Sequence, residues 1–78
     1  MILIGDIGNT DTKICLLDKN YKISKRIVLS TNKINKSLLN KKFRFIINNR
    51  VVIKKALFCS VVPRTFSLIK SFIQKNFK

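Results

Sequence analysis

The residues in this 78-residue chain whose types and spacing suit chemistry are Asp6-Ile7-Gly8-Asn9-Thr10. An apolar run, Ile2 to Ile7, carries an acid near its end. A glycine-containing turn then reverses the chain, and a second, mostly apolar run, Thr12 to Leu17, leaves it. Gly8 has no Cβ and can take φ > 0, so the backbone N–H groups of Gly8, Asn9 and Thr10 can approach an anion closely. Phosphate suits such a loop. Asn9 and Thr10 add side-chain donors, and Asp6 is able to hold a metal ion or a water beside the phosphate. The same residues also make an ordinary hairpin, because Gly-Asn is a good turn in its own right and an Asp before a turn often bonds only local backbone. Spacing alone leaves both readings open.

The elements that must position this tip follow from periodicity. Ile2 to Ile7 is short and Ile-rich, as a buried strand is, and Thr12 to Asp18 predicts its antiparallel partner. After the turn signal Lys19-Asn20, residues Tyr21, Ile23, Lys25, Ile27 and Leu29 alternate with Lys22, Ser24 and Arg26. This predicts a third strand with one wet face, completing a meander. Ser30-Thr31-Asn32 reads as a helix N-cap cluster. Ile34, Leu38, Leu39, Phe45 and Ile46 then predict one helix of roughly 15 residues, closed by Asn48-Asn49-Arg50. Phe43 to Ile47 is also rich enough in aromatic and β-branched residues for a short strand.

Lys55 to Val61 predicts a strand whose apolar Ala56-Leu57-Phe58-Cys59 suits a parallel strand covered on both faces. Pro63 stops it and opens a last helix. There Phe66, Ile69, Ile73 and Phe77, widened by Leu68 and Phe72, form a core stripe opposite Ser67, Ser71, Gln74, Lys75 and Lys78, with Asn76 out of place. The order β-β-β-α-β-α predicts an α/β domain in which helices cover a mixed sheet, with one sheet edge open. No repeat, linker or low-complexity segment is visible.

Length allows one small domain that buries about 60–65% of the surface its unfolded form exposes. Seventeen Lys and Arg against Asp6, Asp11 and Asp18 give a formal net charge of +14. Such a balance raises nucleic acid or an anionic membrane as partners. The cations are dispersed along every segment and are mostly Lys, which compositional bias toward A·T-rich codons also produces. Cys15 and Cys59 have no Cys or His nearby to complete a metal set, and they are expected as small core residues in a reducing compartment. The N-terminus lacks a basic region before its apolar run, and no apolar stretch reaches a membrane-span length of about 18 residues, so a cytoplasmic location is expected.

Three markers together resemble the type III pantothenate kinase family. Asp6-Ile7-Gly8-Asn9-Thr10 followed by Thr12-Lys13 is similar to its first phosphate motif. Cys59-Ser60-Val61-Val62-Pro63 is similar to its Ser-Val-Val-Pro strand end, and Arg26-Ile27-Val28-Leu29-Ser30-Thr31 resembles its third strand. The resemblance implies an RNase H-like, actin-like ASKHA fold, of which residues 1–78 are the N-terminal portion of one lobe. It implies transfer of phosphate from ATP to pantothenate, the first step toward coenzyme A, with catalysis largely by positioning and charge stabilisation. By the same resemblance Asp6 orients Mg²⁺-bound water or the phosphates, Gly8, Asn9 and Thr10 cradle them, and Lys13 supplies a charge contact. A monovalent cation (K⁺ or NH₄⁺) and a homodimer are implied as well.

The family's second phosphate motif, its Gly-Ala-Asp-Arg segment, its general-base Asp and its adenosine pocket match nothing before Lys78. The chain alone is therefore expected to be inactive, as a fragment, a truncated reading frame or one part of a split protein. Two other classes are carried beside this one: a small basic nucleic-acid-binding module and a self-associating, non-catalytic remnant.

Overall fold

Alternation of apolar and polar residues builds a four-stranded sheet in the order β3-β2-β1-β4, in a computed structural model that describes residues 1–49 and 51–77. The expected roles of Arg50 in closing a helix and of Lys78 on a polar helix face lie outside the described residues. Strands β1 (Ile2–Ile7), β2 (Asp11–Leu17) and β3 (Ile23–Ser30) form the antiparallel meander, and β4 (Lys55–Ser60) pairs parallel to β1. The period of two puts Leu3 and Ile7, Thr12, Ile14 and Leu16, and Ile27 and Leu29 on one buried face. Among the described residues α1 (Lys36–Lys42), α2 (Arg44–Asn48) and α3 (Pro63–Asn76) pack on that face and contribute Leu39, Ile46, Ile69 and Phe72, with Phe43 from the α1–α2 junction, to the same core. The other face carries Ile2, Ile4, Cys15 and Leu17, all half-buried, with Val28 and Leu57 exposed.

Several expectations are corrected. The single 15-residue helix is three pieces: a 3₁₀ turn at Thr31–Lys33, then α1, then α2. The cap is Asn35, whose side chain accepts from the Leu38 N–H at 2.8 Å, and not the Ser30-Thr31-Asn32 cluster. Helical geometry breaks at Phe43 (φ −98°, ψ 7°), yet Leu39, Phe43 and Ile46 keep a spacing of four and three, so the apolar stripe continues through the break. Phe43 to Ile47 is not a strand. Its aromatics go to the core and to Lys25, whose ammonium lies 5.2 Å from the Phe45 ring centroid. That contact explains a lysine on the apolar side of β3, since its long stem lies along the face while its charge meets a ring.

Tyr21 lies outside β3, in the β2–β3 turn, at φ 62° and largely exposed. Asp18 organises that turn: its carboxylate accepts from the Asn20 and Lys22 N–H groups at 2.8 and 3.0 Å. β4 ends at Ser60 and is an edge strand with only Phe58 half-buried, so it is not covered on both faces. The cysteines are not core either: Cys15 is half-buried and Cys59 exposed, both on the face away from the helices. Pro63 opens α3 as expected, and Asn76 is accommodated because its amide donates to the Phe72 carbonyl at 2.9 Å. No helix among the described residues is long and apolar enough to cross a membrane.

A candidate phosphate loop at the tip of the first hairpin

The tip forms because β1 and β2 are in register up to Ile7 and Thr12, which leaves Gly8 to Asp11 to reverse the chain. The Gly8 N–H closes the turn on the Asp11 carbonyl at 2.9 Å. Neither glycine has positive φ, so Gly8 does not serve through left-handed freedom. It serves through closeness, because a Cβ at that position would stand 3.0 Å from the Asp11 oxygen. One of the three N–H groups expected to face an anion is thus spent inside the turn. Among the described residues those of Asn9 and Thr10 have no protein acceptor, and both residues are exposed.

The register assigns the remaining predicted residues to two sides. Asp6 lies directly across from Lys13 on β2 and from Cys59 on β4, so carboxylate and ammonium share the face away from the helices. Both are exposed. Asn9 instead borders a cleft of about 810 Å³ on the helix side, lined also by Thr31, Asn35, Lys36, Arg64 and Ser67. Lys36 and Arg64 make that side cationic. α3 adds to it, for its N-terminus has neither a side-chain cap nor an acid in its first turn, leaving the positive end of its dipole uncompensated.

The end of β4 is locked to the end of β1. Its ladder continues one step past the strand, with the Val61 N–H donating to the Ile7 carbonyl at 3.1 Å. The Ser60 hydroxyl then donates to the Val62 carbonyl and accepts from the Val62 N–H, each at 3.0 Å, a small ring that turns the chain into Pro63. This is the physical content of Ser60-Val61-Val62-Pro63: a hydroxyl to make the turn and a proline to start the helix.

Three residues play parts that the sequence does not mark. Gly5 lies under the ring of Phe58, which occupies the space a side chain would need. Thr12 and Thr31 are buried and joined by their hydroxyls at 2.9 Å, and Thr31 also bonds the tip. The sequence signal for Thr12 is a hydroxyl in an apolar strand at a buried parity. Among the described residues no cluster of three metal-ligating side chains occurs.

A family model described as type III pantothenate kinase matches residues 2–78. Over all 78 residues the chain is 50% identical to a type III pantothenate kinase of Pelagibacter ubique (strain HTCC1062), of which it covers 32%. It thus spans about a third of the length of the curated relative it matches.

Proposed function

Because this chain belongs to the type III pantothenate kinase family, we propose that its β1–β2 tip is the loop that receives the phosphates of ATP in the phosphorylation of pantothenate, the first step toward coenzyme A. The observation that carries this reading is that the N–H groups of Asn9 and Thr10, exposed residues two and three positions beyond β1, have no protein acceptor among the described residues and stand beside the cross-strand pair Asp6 and Lys13. Backbone donors of this kind bind anions without the reorganisation that mobile side chains require.

The donor set fits magnesium held through its own ligands. A single exposed carboxylate at the end of a strand is what Mg²⁺ uses when it keeps several waters and takes phosphate oxygens for the rest. Asp6 is the residue that would hold it, directly or through water. The ion neutralises charge on the transferring group when bound. Asn9 and Thr10 orient the phosphates, and Lys13 adds a positive charge on the Asp6 side. No residue is assigned as general base: the chain has no His, and Asp18 is committed to the β2–β3 turn. The 78 residues are read as holding phosphate without completing the transfer. The same reading takes residues 1–78 as the N-terminal portion of one ASKHA-type, actin-like lobe. K⁺ or NH₄⁺ and a homodimer belong to it too, though no residue here is assigned to either. The location is cytoplasmic, without a membrane or nucleic-acid partner, in keeping with lysines dispersed along the chain and not gathered in one patch of sequence.

Titration calorimetry with Mg-ATP tests the loop. Asp6→Asn removes the metal-side charge and Gly8→Val crowds the Asp11 carbonyl, and each is expected to weaken binding about tenfold or more, a loss of roughly 1.4 kcal/mol. Binding that ignores both changes removes the phosphate site.

A further inference from the structure

We infer that Thr31, oriented by Thr12, is the positioning residue that sets the backbone of the tip; its bearing on ATP rests on the reading of that tip as a phosphate loop. A hydroxyl has one hydrogen, and that of Thr31 is committed, because its Oγ1 lies 2.8 Å from the Gly8 carbonyl, which can only accept. At the 2.9 Å contact between the two threonine hydroxyls Thr31 therefore accepts, and Thr12 donates. The bonds run one way, Thr12 to Thr31 to Gly8. Thr12 is wholly buried and Thr31 is 4% exposed, so water does not substitute for a missing member. Thr31 also donates its backbone N–H to the Thr10 carbonyl at 2.9 Å.

One residue thus holds the carbonyls on both sides of Asn9. A trans peptide is planar, with its C=O and N–H pointing in opposite directions. Drawing the Gly8 carbonyl toward Thr31 turns the Asn9 N–H away from Thr31 and out of the fold. The donor proposed to meet phosphate is aimed by a bond on the reverse side of its own peptide group, made by a residue 23 positions further along the chain.

The test compares Thr31→Val, Thr31→Ser and Thr12→Val in the full chain by titration with Mg-ATP and by the amide NMR signals of Asn9 and Thr10. Thr31→Val is expected to weaken Mg-ATP binding about tenfold and to move both amide signals. Thr31→Ser, which keeps the hydroxyl and loses the methyl, is expected to stay within about threefold of the parent. If Thr31→Val fails to fold, Thr12→Val decides, since an Asn9 signal and an affinity equal to the parent's in that variant overturn the inference. It is also overturned if Thr31→Val keeps the parent's signals, or if Thr31→Ser is as weak as Thr31→Val, which would assign the effect to packing. A parent chain that does not bind Mg-ATP sinks the phosphate reading instead, and the amide signals still decide whether Thr31 positions the tip.

Discussion

Phe43→Ala is expected to lower the unfolding free energy by about 3–5 kcal/mol, the usual cost of deleting a buried aromatic ring, and to leave the chain largely unfolded near 37 °C. Phe43 has no exposed surface, and its ring centroid lies 5.5 Å from that of Phe72 and 6.2 Å from that of Phe77. It stands where α1 passes into α2, and its carbonyl receives the N–H groups of Ile46 and Ile47 at 3.0 and 3.1 Å. One ring therefore joins the break between two short helices to α3. A domain of this size has on the order of 4–12 kcal/mol in total, so the loss removes much of it. Urea unfolding followed by far-ultraviolet circular dichroism reads the result. A variant whose midpoint shifts by less than the equivalent of about 1 kcal/mol would show that the aromatic cluster is not central to the fold.

Gly5→Val is expected to separate β4 from β1. A Cβ at Gly5 would collide with the Phe58 ring, and an added methyl in a packed contact typically costs about 1–3 kcal/mol. Valine asks for more room than alanine, and to admit it the Phe58 ring has to turn or leave its place on the core side of the edge strand. The collision is specific to one partner. Hence Gly5→Val combined with Phe58→Ala should be less destabilised than the two single changes summed, by about 0.5–3 kcal/mol in a thermal or urea double-mutant cycle. Additive behaviour would mean that Phe58 is not what Gly5 accommodates. Because Val61 donates to Ile7 immediately beyond this contact, the change should also loosen the strand end that carries the tip.

What could be read in the sequence divides by range. β1, β2 and the start of α3 are marked by residues a few positions apart: alternating apolar residues, a turn between them, and Pro63 at a helix start. Asp6, Asn9 and Thr10 could be singled out because their chemistry is local to one turn. The break at Phe43 could not be, since the rings its side chain packs against there, Phe72 and Phe77, lie some thirty residues away. For the same reason Thr31 looked like a helix cap. Its hydroxyl faces β2 and the tip, and the cap is Asn35. An apolar run in β4 suggested burial on both sides, but sequence hydropathy records what a strand is able to bury and not what lies next to it. Gly5 was invisible because a small residue in a strand announces no partner.

The parallel pairing of β1 with β4 bears on the order of assembly. The meander closes through short turns, whereas β4 is brought to β1 across a long excursion, at whose base the Met1 amino group meets the Val52 carbonyl 51 positions away. Closing a loop about ten times longer than the meander's turns costs roughly 2 kcal/mol more in chain entropy, so the three-stranded meander should form early and the β4–α3 unit should dock last and undock first. Amide exchange followed residue by residue is expected to find β4 less protected than β2, and equal protection would indicate a single cooperative unit. On that scheme Asp6 and Asn9 exist in near-final form before α3 brings Arg64 to the cleft beside Asn9, and the tip is completed only in the closing step of folding.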